Sequence, residues 1–175
     1  LHLSSEWPAL KLRWLRENDS SLKKLWKAGR LAYGQLDAWF LYALTGGRCY
    51  ASDHSTACRS GLYNLRTLDW DQELMAGFGA EGLRLPPLCD NTAQFEGVDL
   101  GIGKRLPWVA GGLDQSMALL GQRCIAAHTA KVTYGTCCAC WMNMGDEVVL
   151  DDHLTTSVAW KAGESPVYAL AAEGG

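Results

Sequence analysis

The chain has 175 residues, of which 48% are hydrophobic and 20% charged, with a net charge of −3. That balance excludes a disordered, collagen-like or low-complexity chain, and it offers no basic field for nucleic acid or anionic lipid. The length by itself predicts one domain with a real core. Eight tryptophans imply several packed surfaces rather than a single tidy one. Seven cysteines, an odd number without a framework spacing and without a visible signal peptide, predict free thiols in a reducing cytoplasm. No apolar run approaches the ~18 residues of a transmembrane helix.

In chain order, the first third reads as helical. Trp7, Leu10, Trp14 and Leu15 form one face behind Pro8, which suits a first turn. Ser20 and Ser21 precede a second repeat, Leu22, Leu25 and Trp26, closed by Gly29. Leu36, Trp39, Phe40, Ala43 and Leu44 form a third stripe, ended by Thr45-Gly46-Gly47. Residues 48–66 are polar and without a period, so they read as a loop, with a short strand at Leu62–Leu65. Asp69 with Gln72 makes a capping-box signal for a helix through Leu74, Met75 and Phe78, stopped by Gly79. Leu85–Leu88 is extended.

Glycine punctuates the second half. Trp108–Ala110 reads as a strand ending at Gly111-Gly112, and Asp114–Gln122 as a helix packing through Met117, Leu120 and Gly121. Ala130–Tyr134 and Cys138–Met142 read as strands joined by a tight turn. Thr155–Trp160 and Val167–Leu170 alternate as a hairpin around Gly163. The mixture predicts an α/β fold with a change of domain near residue 130.

Four constellations are candidates for chemistry. Asp114, in Gly111-Gly112-Leu113-Asp114-Gln115, stands between a strand and a helix, where it either caps the helix or serves as a base toward a bound hydroxyl. Thr133-Tyr134-Gly135-Thr136 is either an ordinary turn or a close backbone approach to a phosphate oxygen, although it has no P-loop lysine spacing. Ser52-Asp53-His54-Ser55 gathers triad residue types, but a triad is assembled from distant positions, so His54 reads as a surface or hydrogen-bonding histidine. Cys137-Cys138-Ala139-Cys140 lacks zinc spacing and reads as buried free thiols, with Cys138 and Cys140 on one face.

Taken in order, these segments resemble the glycerol kinase branch of the FGGY carbohydrate kinases. The resemblance is carried by Lys11–Leu15, Gly34–Trp39, Leu44–Gly47, Ser52–Arg59, Asn64 and Thr67–Asp71. It continues in Gly112–Gln115, Ala130–Thr136, Met142–Gly145 and Thr155–Trp160. It implies a ribonuclease H-like, actin-type ATPase fold of two lobes with the active site between them. Residues 1–129 would be the later part of the first lobe, and 130–175 the opening of the nucleotide-binding lobe.

The resemblance further implies phosphoryl transfer from ATP, with Mg²⁺, to a terminal hydroxyl of glycerol or a related polyol or sugar. Asp114 matches the family's catalytic base and lies near its metal. Gln115 and His54 match substrate contacts, His54 replacing a usual Tyr. Gly135 and Thr136 match the nucleotide-binding turn. Two further departures are Cys137, where the turn has a second glycine, and Ala139, where a Phe packs on substrate carbons and an Ala leaves room for a larger polyol. Cytoplasmic location and homo-oligomer formation are also implied. The alternatives are a non-catalytic relative that binds a metabolite or partner, and a thiol module built on Cys137, Cys138 and Cys140.

Overall fold

A computed structural model describes residues 7–135 and 138–174, the side chain of Glu173 excepted. The first stretch holds α1 (Pro8–Asn18), α2 (Ser20–Lys27), α3 (Leu36–Leu44), β1 (Ser52–Asp53) and α4 (His54–Ala57). A 3-10 turn at Cys58–Ser60 leads to β2 (Tyr63–Asn64), β3 (Asp69–Trp70), α5 (Gln72–Phe78) and β4 (Leu88–Cys89). Then come β5 (Phe95–Asp99), β6 (Arg105–Trp108) and α6 (Asp114–Gly121). The final strands are β7 (Ala130–Tyr134), β8 (Cys138–Gly145), β9 (Thr155–Lys161) and β10 (Pro166–Gly174). The described chain is thus mixed α/β, as the sequence predicts.

The helical breaks come from aspartates. Asp19, rather than the serines after it, caps α2, its carboxylate accepting from the Ser21 and Leu22 amides at 2.8 and 3.0 Å. Asp71, not Asp69, caps α5 by accepting from Glu73 and Leu74. Both Asx caps need the carboxylate two or three residues before the amides it receives. α1, α2 and α5 bury Ala9, Trp26 and Met75 in one cluster with Tyr33, Leu62, Ala80 and Leu83.

One tryptophan of α1 and one side of α3 leave apolar groups on the surface. Trp14 is exposed, and on α3 the residues buried are Ala38 and Leu41, while Leu36, Trp39 and Phe40 face out. α3 is apolar on nearly every side, so its periodicity does not say which side meets the core.

The largest sheet is antiparallel, in the order β7-β8-β10-β9. The hairpin predicted around Gly163 is β9–β10. Val158 and Ala159, neighbours on β9, point to opposite faces. Ala159 joins Leu119 of α6, with Trp141 and Ala169. Val158 joins Ala57 of α4, with Tyr63 and Tyr168. The sheet that begins at residue 130 therefore shares apolar clusters with the helices before it. α6 packs through Ser116 and Leu119 rather than Leu120 and Gly121.

The strand before α6 ends at Trp108, and it pairs antiparallel with β5, a strand not evident from the sequence. The Asp114 turn therefore comes after a two-stranded hairpin and not a parallel sheet. Parallel pairing of named strands, among the described residues, is confined to β1 and β4.

Candidate functional site

The segment 48–66, which reads as a loop, holds an enclosed turn. Ser52 through Ala57 are all buried. Its polarity is consumed internally. Asp53 caps α4, accepting the Thr56 amide at 3.0 Å and the Thr56 hydroxyl at 2.8 Å. The Ser55 hydroxyl donates to Asp53 Oδ1 and accepts the Leu113 amide at 3.0 Å.

Asn91 completes this network. Its Nδ2 lies 2.9 Å from each of Asp53 Oδ1, Ser55 Oγ and the Gly111 carbonyl. Its Oδ1 accepts from the Lys161 amide at 2.8 Å. Next to it, Lys161 forms an ion pair with Asp90 at 2.6 Å, and Asp90 also accepts from the Gly163 amide. Burial opposes the charge on Asp90, but the Lys161 and Gly163 hydrogen bonds and the Lys161 charge together outweigh it and hold the carboxyl below its ordinary value. Asn91 is no candidate from sequence alone, because its side-chain bonds reach Asp53, Ser55, Gly111 and Lys161, all distant along the chain. Only the Asp-x-x-Thr spacing at 53–56 is a local signal.

His54 is buried, with Nδ1 2.8 Å from the Tyr63 hydroxyl. It is thus a hydrogen-bonding histidine and not a surface one. Burial, reinforced by the Lys161 charge, lowers its pKa and favours the neutral ring. Burial raises that of Tyr63, so the phenol keeps its proton. Tyr63 also lines a cleft of about 700 Å³ with Cys58, Arg59 and residues 150–152.

Asp114 is the first helical residue of α6, and the capping position belongs to Leu113, without a side-chain cap. The Asp114 carboxylate is exposed and accepts the Gln115 amide through Oδ1 at 2.7 Å. Gly112 supplies the room for this turn. A Cβ there would come within 2.5 Å of Met117 Cε and 3.1 Å of Asn91 Nδ2. Gln115 Oε1 accepts from Lys131 Nζ on β7, which also donates to Thr133 Oγ1 at 2.8 Å. Gly135 is exposed just past the end of β7, while Thr136 and Cys137 lie outside the described residues. Asp114, Gln115 and the strand leading to Gly135 are thus joined directly, and His54 is tied to them through Ser55 and Leu113.

Cys138 and Cys140 share a face of β8, as expected, yet Cys138 is exposed and not buried. Cys138 and Cys140 lie opposite the core-facing side because Ala139 and Trp141 take the inward positions, and Cys137 lies outside the described residues. Among the described residues, no three His, Cys, Asp or Glu are grouped to hold an ion. Burial pushes the Cys58 and Cys89 thiols up to about 12, so they stay protonated.

The model of the N-terminal domain of the FGGY family of carbohydrate kinases matches residues 1–121. The chain belongs to the FGGY family. A glycerol kinase of Dichelobacter nodosus is 37% identical over 178 aligned residues, covering 100% of this chain and 35% of that protein. A glycerol kinase of Mycoplasmoides gallisepticum is 38% identical over 91% of this chain and 33% of its own length. The crystal structure of Plasmodium falciparum glycerol kinase with ADP superposes with a TM-score of 0.86 at 28% identity, covering 94% of this chain and 34% of that one. A ligand-bound xylulose kinase of Lactobacillus acidophilus shares the fold, with a TM-score of 0.80 at 21% identity, over 95% of this chain and 34% of its own. This FGGY chain therefore carries part of the actin-type ATPase fold, and it spans about a third of the length of these relatives.

Proposed function

We propose that this chain is the acceptor-side part of an ATP-dependent kinase that phosphorylates a terminal hydroxyl of glycerol or a related polyol or sugar. The observation that carries the reading is Asp114, an exposed carboxylate held on the first turn of α6 by a buried network, within a chain 37% identical to a glycerol kinase. The division into lobes at residues 1–129 and 130–175, the cytoplasmic setting and the homo-oligomer belong to the same reading.

In this reading Asp114 accepts the proton of the acceptor hydroxyl as its oxygen bonds to the γ-phosphorus and the bond to the ADP oxygen breaks. Gln115 and His54 orient the acceptor. Oδ1 of Asp114 already takes an amide, which fixes the carboxylate's direction. Its other oxygen is a hard donor suited to Mg²⁺, which commonly takes only one or two carboxylates beside phosphate oxygens. When bound, the ion neutralises phosphate charge. Gly135 and Thr136 would face the nucleotide, where Gly135 presents no Cβ. The Cβ of Cys137 bears on how the turn admits the nucleotide and Ala139 on acceptor specificity; the Ala139 methyl lies in the cluster with Leu119 and Trp141.

The test uses the complete protein, following ADP release with glycerol, erythritol, ribitol, xylulose and ribulose. Turnover with one of them supports the reading. Nucleotide binding without any turnover would instead establish a non-catalytic relative. The 175-residue chain by itself is expected to be inactive, because it spans only a third of its relatives' length.

A further inference from the structure

β7 carries its residues the wrong way round for a simple amphipathic strand. Lys131 is 2% exposed and Thr133 half-buried, whereas Val132 is 43% and Tyr134 85% exposed. Strands normally turn their apolar residues inward, and a local reversal of that pattern marks a site with another task.

The buried Lys131 ammonium donates to Gln115 Oε1 and to Thr133 Oγ1, and it lies 6.0 Å from the ring centre of Trp141, its cross-strand neighbour on β8. A buried cation is weak support for stability, since an apolar side chain of similar length would avoid the desolvation cost. A methionine packed on Trp141 would do so. What a methionine could not do is set the sense of the Gln115 amide. The two ends of a side-chain amide are close in shape, and their assignment depends on the partners they meet. An ammonium only donates, so the end that faces it must be the carbonyl oxygen. The NH₂ group is then turned away from Lys131.

We propose that Lys131 is a positioning residue: it holds Gln115 so that Nε2 stands as a hydrogen-bond donor toward an oxygen of the acceptor alcohol. The contact with the acceptor rests on the kinase reading above, but the orientation of the amide does not. Because Gln115 directly succeeds Asp114, and its backbone N–H donates to the Asp114 carboxylate, a displaced Gln115 also disturbs the acceptor hydroxyl's approach.

The experiment uses the full-length protein with its best acceptor. Lys131→Met is expected to raise the acceptor KM about tenfold or more while leaving the KM for ATP within about twofold. Combined with Gln115→Ala it adds nothing further, since both changes remove the same contact. Lys131→Arg, which keeps the charge and the donors, recovers part of the loss. Gln115→Glu keeps a partner for the ammonium but removes the outward NH₂, so it raises the acceptor KM even if Lys131→Met does not fold. With selective ¹⁵N-glutamine labelling, Lys131→Met shifts the Gln115 side-chain NH₂ resonances toward those of free glutamine. An unmoved resonance, an unchanged acceptor KM in Gln115→Glu, or fully multiplicative effects would each overturn the proposal. If no acceptor is phosphorylated, the kinase reading fails, and the amide resonance still decides whether Lys131 orients Gln115.

Discussion

The Ser55 hydroxyl accepts the Leu113 amide at 3.0 Å, across 58 positions of the chain. A hydroxyl has one proton and two lone pairs. Ser55 spends the proton on Asp53 and fills both lone pairs, with Leu113 and with Asn91 Nδ2 at 2.9 Å. One saturated, fully buried group thus joins the neighbour of His54 to the neighbour of Asp114.

Ser55→Ala removes that joint and strands one donor. The Leu113 amide loses its acceptor, whereas the two protons of Asn91 Nδ2 keep Asp53 Oδ1 and the Gly111 carbonyl. The expected loss is about 1–3 kcal/mol in urea unfolding, the cost of one unsatisfied donor. A loss below about 0.5 kcal/mol, the range of an ordinary surface change, would show that the hydroxyl is dispensable.

Asn91→Asp tests the donor side of the same network. It puts a second carboxylate 2.9 Å from Asp53 Oδ1 and withdraws the bond to the Gly111 carbonyl. The expected cost is about 3 kcal/mol or more at neutral pH. It shrinks on acidification, because a protonated carboxyl restores a donor and removes a charge. Denaturant midpoints measured from pH 4 to 8 read both the size and the direction.

His54 gives a pH signature of its own. Its folded pKa lies below the unfolded value of 6.5, first through burial and then through the Lys161 charge. Above pH 6.5 the ring is neutral in both states and stability is at its full value. Below that the unfolded chain takes up a proton that the folded one resists, so stability falls until the pH passes the folded pKa. Comparing thermal midpoints of the wild type and His54→Tyr from pH 5 to 8 isolates this. The wild type is expected to lose more stability than the variant below pH 6.5, and parallel curves would refute it.

Asp114→Asn separates activity from folding. The carboxylate is exposed, and its hydrogen bond is to the amide of the adjacent residue, so the melting temperature should stay near that of the wild type. In the complete protein, ADP release with the best acceptor should fall about 10²–10⁴-fold, the usual contribution of a general base. A variant with full rate would remove Asp114 from the base role.

Much of the fold was legible locally. α2 and α5 have the buried residues their spacing predicts, and α6 starts at Asp114 as expected. The β9–β10 hairpin forms around Gly163 as the alternation implies. The misreadings have different causes. Residues 52–57 look like a loop because they are polar, yet Asp53, Ser55 and Asn91 satisfy one another inside the protein. On α3 the expected stripe is the outer side: Leu36, Trp39, Phe40 and Ala43 are exposed, and the core takes Ala38 and Leu41 instead.

By itself the amino-acid sequence determined the features that depend on near neighbours. It set the periodic helices, the Asx spacings that start them, the alternating strands, and the ordered motifs that mark an FGGY chain. Only the tertiary structure decided which polar groups are buried together. It brought Lys131 under Gln115, Asn91 between Asp53 and Gly111, and Ser55 against Leu113. The physical reason is that a hydrogen bond depends on distance in space. Composition records the donors and acceptors of a chain, and only folding pairs those that lie far apart along it.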